Sequence, residues 1–543
     1  MSKWKAIILS VCLGTFLLTG CDLSSDLNLS KESEEISKDQ SLELTETRMP
    51  ATLDPAKFAE MNGVNVLNNI QEGLMRIGKD NRPTLGIAKS YEVSEDGKTY
   101  TFMLRSDAKW SDGRPVTAND FEYAWKRMLH PKMKAQMAYA LMKVKNASKF
   151  NEGKALENQV GIHAIDNKIL KIELEEADPN FLSIVAMPNF SPLRRDIVEK
   201  YKERYATNSK TMVYNGPFIM ESFTPSKIIL KKNPEYWDRS NVSLNQVVIH
   251  IGIDSEKEIN FYQSGKLDIA RLKNFTEAYR NSPDYVHSEI ARVNYLLMNH
   301  TKAFFRNQNI RFALSLALNR KEIVNSLKEA STPADALVPP GITVNGQSFR
   351  DQGDKNLVSY QPQLARTYFK KGLQELKLQK IPSLVLLTPD DERKSVALEI
   401  KKQLKEILGL DVLINTPAPD ARTVLKQNMK FDLLMEGWTA DYNDPNSFIN
   451  IWHSDSELNE GKFSSPELDR LLEATMQTNN NEIKLKNWFE AERMLVKPGE
   501  LTVVIPLYFK GNAFMQKKYV KDLYRHPFGV EYSLKWAYIS SHK

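Results

Sequence analysis

The stretch Ser94-Glu95-Asp96-Gly97-Lys98-Thr99-Tyr100-Thr101-Phe102-Met103-Leu104-Arg105 holds a turn and the start of a sheet. Glu95-Asp96-Gly97 is turn chemistry. The alternation after it puts Tyr100, Phe102 and Leu104 on one face, the period of a half-buried strand. Ser111-Asp112-Gly113-Arg114-Pro115 makes the next turn, and Thr117 with Asp120 reads as a capping box. The helix opened there spaces Phe121, Trp125 and Met128 along one side and stops before Pro131. At that spacing core packing is favoured over a binding stripe.

The same alternation of short strands and amphipathic helices continues along the chain. Strands are expected at 162–165 and 169–174, bracketing Asp166-Asn167 as a hairpin. Helices are expected over 310–327, 393–408 and 466–496. The middle one stops at Gly409 and is followed by a strand through Val412 and Ile414. The apolar run Phe431-Asp432-Leu433-Leu434-Met435 suits the middle of a covered sheet. The pattern is mixed α/β.

With 543 residues the chain needs more than one core. Its 41% hydrophobic and 26% charged residues exclude wholesale disorder, collagen-like repeats and a polytopic membrane protein. Two cysteines exclude a disulfide scaffold. Lys3 and Lys5 precede an apolar run from Ala6 to Leu18, too short to span a bilayer and typical of an export signal over residues 1–20. Leu18-Thr19-Gly20-Cys21 resembles a bacterial lipobox, which implies cleavage before Cys21 and acylation of its thiol, as by palmitate. The alternatives are a plain secretory signal or an uncleaved anchor. Cys12 leaves with the signal, so no thiol remains for catalysis or metal binding. Residues 22–43 carry Asp22, Asp26, Glu32, Glu34, Glu35, Asp39 and Glu43 against only Lys31 and Lys38, and residues 21–44 read as a solvated tether. The body is therefore more basic than the chain's net +6, yet no Lys/Arg cluster with interleaved aromatics points to nucleic acid.

Catalytic signatures are missing. There is no GxSxG, GxxxxGK[ST], GxGxxG or HExxH, and no two of the eight histidines stand at i, i+4 ligand spacing. Asp441-Tyr442-Asn443-Asp444 lacks the glycine and the later glutamate of a calcium loop. Neither metal nor cofactor is expected. Carboxylate pairs for hydrolysis are a matter of spatial separation, so an exported hydrolase stays as the alternative to a binding protein that is not an enzyme.

Several segments resemble the oligopeptide and dipeptide substrate-binding lipoproteins of ABC transporters, solute-binding protein family 5. They are Leu53-Asp54-Pro55, Glu72-Gly73-Leu74, the run from Ala88 to Phe102, Lys109-Trp110-Ser111-Asp112-Gly113, and Thr117-Ala118-Asn119-Asp120-Phe121. Asn215-Gly216-Pro217-Phe218, Asn233-Pro234-Glu235-Tyr236-Trp237 and the block from Gly437 to Pro445 match later parts of the pattern.

The resemblance implies a periplasmic-binding-protein-like α/β fold: two lobes joined by a hinge, with an additional third domain. By analogy, lobe I falls at 45–72, 193–292 and 506–543, the additional domain at 73–192, and lobe II at 293–505. It also implies an extracytoplasmic, lipid-anchored monomer at the cell membrane that captures peptides and passes them to permease subunits. A sensory peptide, a cell-wall peptide or a metal chelate are the alternative ligands. Asp441 is implied to hold the peptide ammonium, with the Gly437-Trp438-Thr439 backbone pairing with the peptide and Tyr442 and Asn443 beside them. On sequence chemistry alone Asp441 reads as a turn aspartate, Trp438 as cleft wall or core, and Asn215 as a ligand contact or a structural turn residue. Arg271 and Arg393 are candidates for the peptide carboxylate, or else solvated surface residues. Met435 stands where some relatives have arginine, and residues 415–422 lack a tryptophan that often lines the cleft.

Overall fold

The computed structural model describes residues 35–57, 60–440, 442–478 and 480–541. The signal segment, Cys21, the tether as far as residue 34, and Asp441 lie outside the described residues.

Thr99–Leu104 is a strand with Tyr100, Phe102 and Leu104 buried and the alternate residues partly exposed. It pairs antiparallel with Ala88–Val93 and with Ile169–Glu173, and Ile162–Ala164 completes a four-stranded sheet. Helix Ala118–Leu129 packs on the last two strands. The Asp120 carboxylate accepts the Thr117 amide at 2.9 Å, and Phe121, Trp125 and Met128 are core.

A second sheet runs in the order Ser41–Glu46, Gln246–Ile251, Lys227–Lys232, Phe218–Thr224. Its first strand shortens the expected tether. Leu42 and Leu44 are buried, the strand pairs in parallel with Gln246–Ile251, and Ile36 already bridges Ser540. Leu42 and Leu44 turn into the core, whereas the acid between them, Glu43, meets His250 at 2.5 Å on the other face.

The third sheet joins the two halves of the molecule. Tyr285–Met298 and Val504–Gln516, 14 and 13 residues long, pair antiparallel along most of their length. Strands of that length, twice the usual ~5–6 residues, reach across more than one core. At one end Ile269–Arg271 adds to Phe514–Gln516. At the other, Leu433–Thr439 adds to Arg292–Met298 and is followed outward by Leu384–Leu387 and Val412–Asn415. Between the ends the ladder shifts register at Glu289/Val293 and again at Asn294/Tyr295. Beyond the shifts both faces are covered. Val293, Tyr295, Leu297, Leu387 and Leu434 enter one apolar cluster. Leu296, Met298, Leu386, Leu433 and Met435 enter the cluster on the opposite side, so the period-two pattern fills both layers.

Helix Arg393–Leu408 ends at Gly409 in the left-handed conformation (φ 67°), as expected. The other two long helices are interrupted. The segment 310–327 divides into Gln308–Leu316 and Arg320–Asn325, where Asn319 caps the second helix. Buried Arg320 donates to the carbonyls of Ser315, Leu318 and Pro506, satisfying groups that the break releases. The segment 466–496 divides into Pro466–Gln477 and Asn481–Val496, with the Asn480 side chain accepting the amides of Glu482 and Ile483.

Two buried histidines tie the fold to pH. His300 donates Nε2 to the Val503 carbonyl at 2.9 Å, and His526 lies between Asn81 and Ser533. Burial pushes both down to about 4. Each native ring therefore binds fewer protons than its unfolded counterpart between about pH 4 and 6.5, and its stabilising contribution is lost as pH falls through that window. At pH 5 the loss is about 2 kcal/mol per histidine. Urea unfolding of His300→Gln should show a fall between pH 7.5 and pH 5 that is smaller than wild type by about that amount. Parallel declines in the two proteins would contradict it.

Candidate functional site

The strands deliver polar side chains to one place. Glu46, Arg271 and Thr439 are the last residues of Ser41–Glu46, Ile269–Arg271 and Leu433–Thr439. With Ser288 and Asn512 of the two long strands and Glu531 near the C-terminus they line a cavity of about 410 Å³. Ligands of α/β sheets commonly bind beyond such carboxyl ends. A second cavity of about 210 Å³ shares Thr47, Arg271 and Asn512 and adds Glu329 and Lys510.

The wall of the larger cavity is a buried charge network. Arg271 donates both terminal nitrogens to the Glu531 carboxylate at 2.7 and 2.6 Å, and a Glu46 oxygen lies 3.8 Å away. Asn65 and Tyr532 also donate to Glu46, each at 2.9 Å. Burial raises the Glu46 carboxyl above its ordinary range, against the pull of Arg271. Burial acts on Glu531 in the same sense, but there the arginine wins and the carboxyl is held low. Arg525 stacks at 3.8 Å from the Phe514 ring centre, and burial pushes it down to about 10.

Arg271 is thus neither a solvated surface residue nor a free cation for a peptide carboxylate. Arg393 lies partly buried at the start of its helix, 2.5 Å from Asp391 and 3.8 Å from Glu436. Asn215 is buried; it accepts the Glu72 amide at 3.0 Å and donates to the Glu72 carbonyl at 2.8 Å, which is turn architecture. Asn443 is similarly committed, to the amide and hydroxyl of Thr343. Tyr442 precedes it in the same partly exposed loop. On the other side of Asn443, Asp444 caps the Asn446 amide at 2.7 Å, and burial pushes its carboxyl up to about 6.

Gly437, Trp438 and Thr439 form a strand edge. On one side they pair with Asn294, Val293 and Arg292, and the Ala440 amide continues to Ala291. On the other side Leu384–Leu387 pairs only as far as Leu434, so no strand among the described residues covers 436–439 there. A β-carbon at Gly437 would crowd Asn294 Oδ1 and stand 2.7 Å from Arg292 Nη2, so both side-chain ends would have to shift to admit one. Trp438 packs against the core of this half, and its indole nitrogen is buried without a partner among the described residues. Met435 is wholly core.

Sequence reading missed Arg292, Glu46 and Glu531. The two acids become meaningful only through Arg271. Arg292 left one signal, a cation inside the apolar run from Ile290 to Met298.

The chain belongs to the bacterial extracellular solute-binding proteins of family 5, whose family 5 Middle model matches residues 82–460. It is 32% identical over 530 residues to the dipeptide-binding protein DppE of Bacillus subtilis strain 168, covering 96% of each chain. Among solved structures, an oligopeptide ABC transporter substrate-binding domain from Bacillus anthracis str. Ames matches with TM-score 0.74 and 31% identity, over 94% of this chain and 100% of that one. Listeria monocytogenes OppA bound to peptide matches with TM-score 0.72 and 31% identity, over 93% and 99%. The fold is therefore the mixed α/β, two-lobed binding-protein architecture with an additional domain, and the chain is a solute-binding protein, not an enzyme.

Proposed function

We propose that the protein is an extracytoplasmic lipoprotein that captures short peptides in the cavity between its lobes and delivers them to an ABC permease. The observation that carries this reading is the uncovered edge Gly437-Trp438-Thr439 beside a cavity walled by both halves of the molecule. A peptide added to that edge gains backbone hydrogen bonds that do not depend on its side chains, which suits a carrier of varied cargo. The ammonium docks on Asp441, two residues past the cavity-lining Thr439.

The lobes divide at about residues 292/293 and 505/506, within the two long strands, with 73–192 as the additional domain. The register shifts at Glu289/Val293 and Asn294/Tyr295 serve as the hinge, since a broken ladder resists bending less than a regular one. A ligand touching both lobes favours the closed state because only that state offers it both sets of contacts. Cys21 carries the lipid, and the acidic residues after it form the tether that ends before Ile36. The protein works as a monomer.

Native mass spectrometry of protein purified without a denaturing wash is the direct test. Bound masses resolving into peptides of a few residues are expected. Protein free of peptide that also binds no member of a short-peptide library in calorimetry would overturn the reading.

A further inference from the structure

Helices Pro362–Glu375 and Arg393–Leu408 pack side by side. Between them, at the C-terminal end of the second, lies a groove of about 560 Å³ that shares no residue with the two cavities described above. Its floor is apolar: Phe369 and Leu408 are buried, and Leu373 and Ile407 are partly so. Leu378 stands at the rim, 41% exposed, in the segment Lys377-Leu378-Gln379-Lys380 that follows the first helix.

The charged residues of the lining are Arg366, Lys370 and Lys377, with no acid among them. Both other cavities have carboxylates in their walls, Glu531 in one and Glu329 in the other. None of the three cations forms an ion pair among the described residues, and Arg366 donates to the Ile407 carbonyl at 3.1 Å. Elsewhere charges four residues apart are balanced, Lys126 by Glu122, Arg195 by Glu199 and Lys394 by Asp390. Here the same spacing sets Arg366 beside Lys370, a like-charge pair that opposes the helix. Glu375, the one acid of this helix, is taken by the side-chain amides of Asn307 and Asn309 at 2.8 Å each. The helix dipole does not account for the cations either, since no basic residue lies in the last turn.

We propose that this groove is a docking face for a membrane surface of anionic phospholipids. The proposal rests on the lipoprotein reading above, which holds the body beside such a surface. Headgroup phosphates meet Arg366, Lys370 and Lys377, and the acyl region beneath them receives Leu378. A free phosphate would answer the cations but leave the apolar floor in water, and an apolar partner would do the reverse. The order lysine, leucine, glutamine, lysine sets one apolar side chain between two cations, the combination that an interfacial contact uses. Added to a lipid anchor, the contact is intramolecular, so even a weak one keeps the body at the surface that carries its permease.

Vesicle flotation tests this with the full mature chain carrying Cys21→Ser, which removes the thiol that would bear the lipid. Vesicles of phosphatidylglycerol and phosphatidylcholine in equal parts are compared with phosphatidylcholine alone. Each cation near an anionic surface contributes about fivefold, so the chain should prefer the mixed vesicles by about 100-fold at low salt. High salt should remove most of that preference. Lys370→Glu with Lys377→Glu should lower binding to the mixed vesicles by about 25-fold or more. The same charge change at two exposed lysines elsewhere, Lys89→Glu with Lys149→Glu, should lower it by no more than about threefold. Leu378→Ser, which keeps the charge, should weaken binding about fivefold. Equal binding to the two kinds of vesicle, or equal losses in the two charge-reversed variants, overturns the proposal. Calorimetry with short peptides on the same chain separates it from the reading it rests on: peptide binding without vesicle binding overturns the docking face alone, and absence of both overturns the peptide reading as well.

Discussion

Replacing Arg271 by methionine is expected to destabilise the protein by about 3 to 5 kcal/mol, the range for removing one partner of a buried ion pair. Methionine fills most of the volume but leaves the buried Glu531 and Glu46 facing each other without the cation that served both. The two acids then raise one another's pKa, as burial already does for Glu46. The destabilisation should therefore grow as pH rises above the carboxylate range and shrink toward pH 5, where protonation relieves the repulsion. Arg271→Met with Glu531→Leu should recover much of the loss, since an apolar pair of similar volume often matches a buried ion pair. Urea unfolding of the single and double variants decides the matter. A single variant of wild-type stability that has lost only peptide affinity would instead make Arg271 a ligand anchor.

This residue also shows where sequence reading stops. Arg271 is a short strand's last residue and was open to two interpretations, surface or ligand. Its actual partner, Glu531, is 260 residues away along the chain, and no local pattern encodes that pairing. Thr99–Leu104 and helix Ala118–Leu129 were legible because one buried face imposes its period directly on the sequence. The break at Ala317–Asn319 was not, because the apolar period runs through it and Arg320 serves the carbonyls of Ser315 and Leu318 beside it while anchoring on Pro506, 186 residues away. The strand Ser41–Glu46 was hidden by its acidic neighbours, although Leu42 and Leu44 alternate as a strand should. At the site, resemblance pointed to Gly437, and the side-chain ends of Asn294 and Arg292 lie over its α-carbon. Asn215 and Asn443 belong to the same recognisable blocks, yet their polar atoms are spent on Glu72 and Thr343. A motif marks the neighbourhood of a site more reliably than it marks the contacts.

With the peptide ammonium docked on Asp441 as proposed, Asp441→Asn should weaken binding of a free-amine peptide about 100-fold, the scale of a lost charge-assisted contact in a water-poor cleft. The chain on either side of this residue is fixed independently of its side chain. Ala440 is bonded to Ala291 at 2.8 Å, and Asn443 to Thr343. Asparagine keeps the shape and the turn propensity of the position, so the change tests charge and little else. Acetylating the peptide amine removes the same interaction from the other partner and should weaken wild-type binding by a similar factor. The two changes are then strongly non-additive, and Asp441→Asn should bind acetylated and free peptides almost equally. Calorimetry giving wild type the same affinity for free and acetylated peptide would remove Asp441 from the site. The uncovered edge at Gly437-Trp438-Thr439 would then have to bind peptides by their backbone alone.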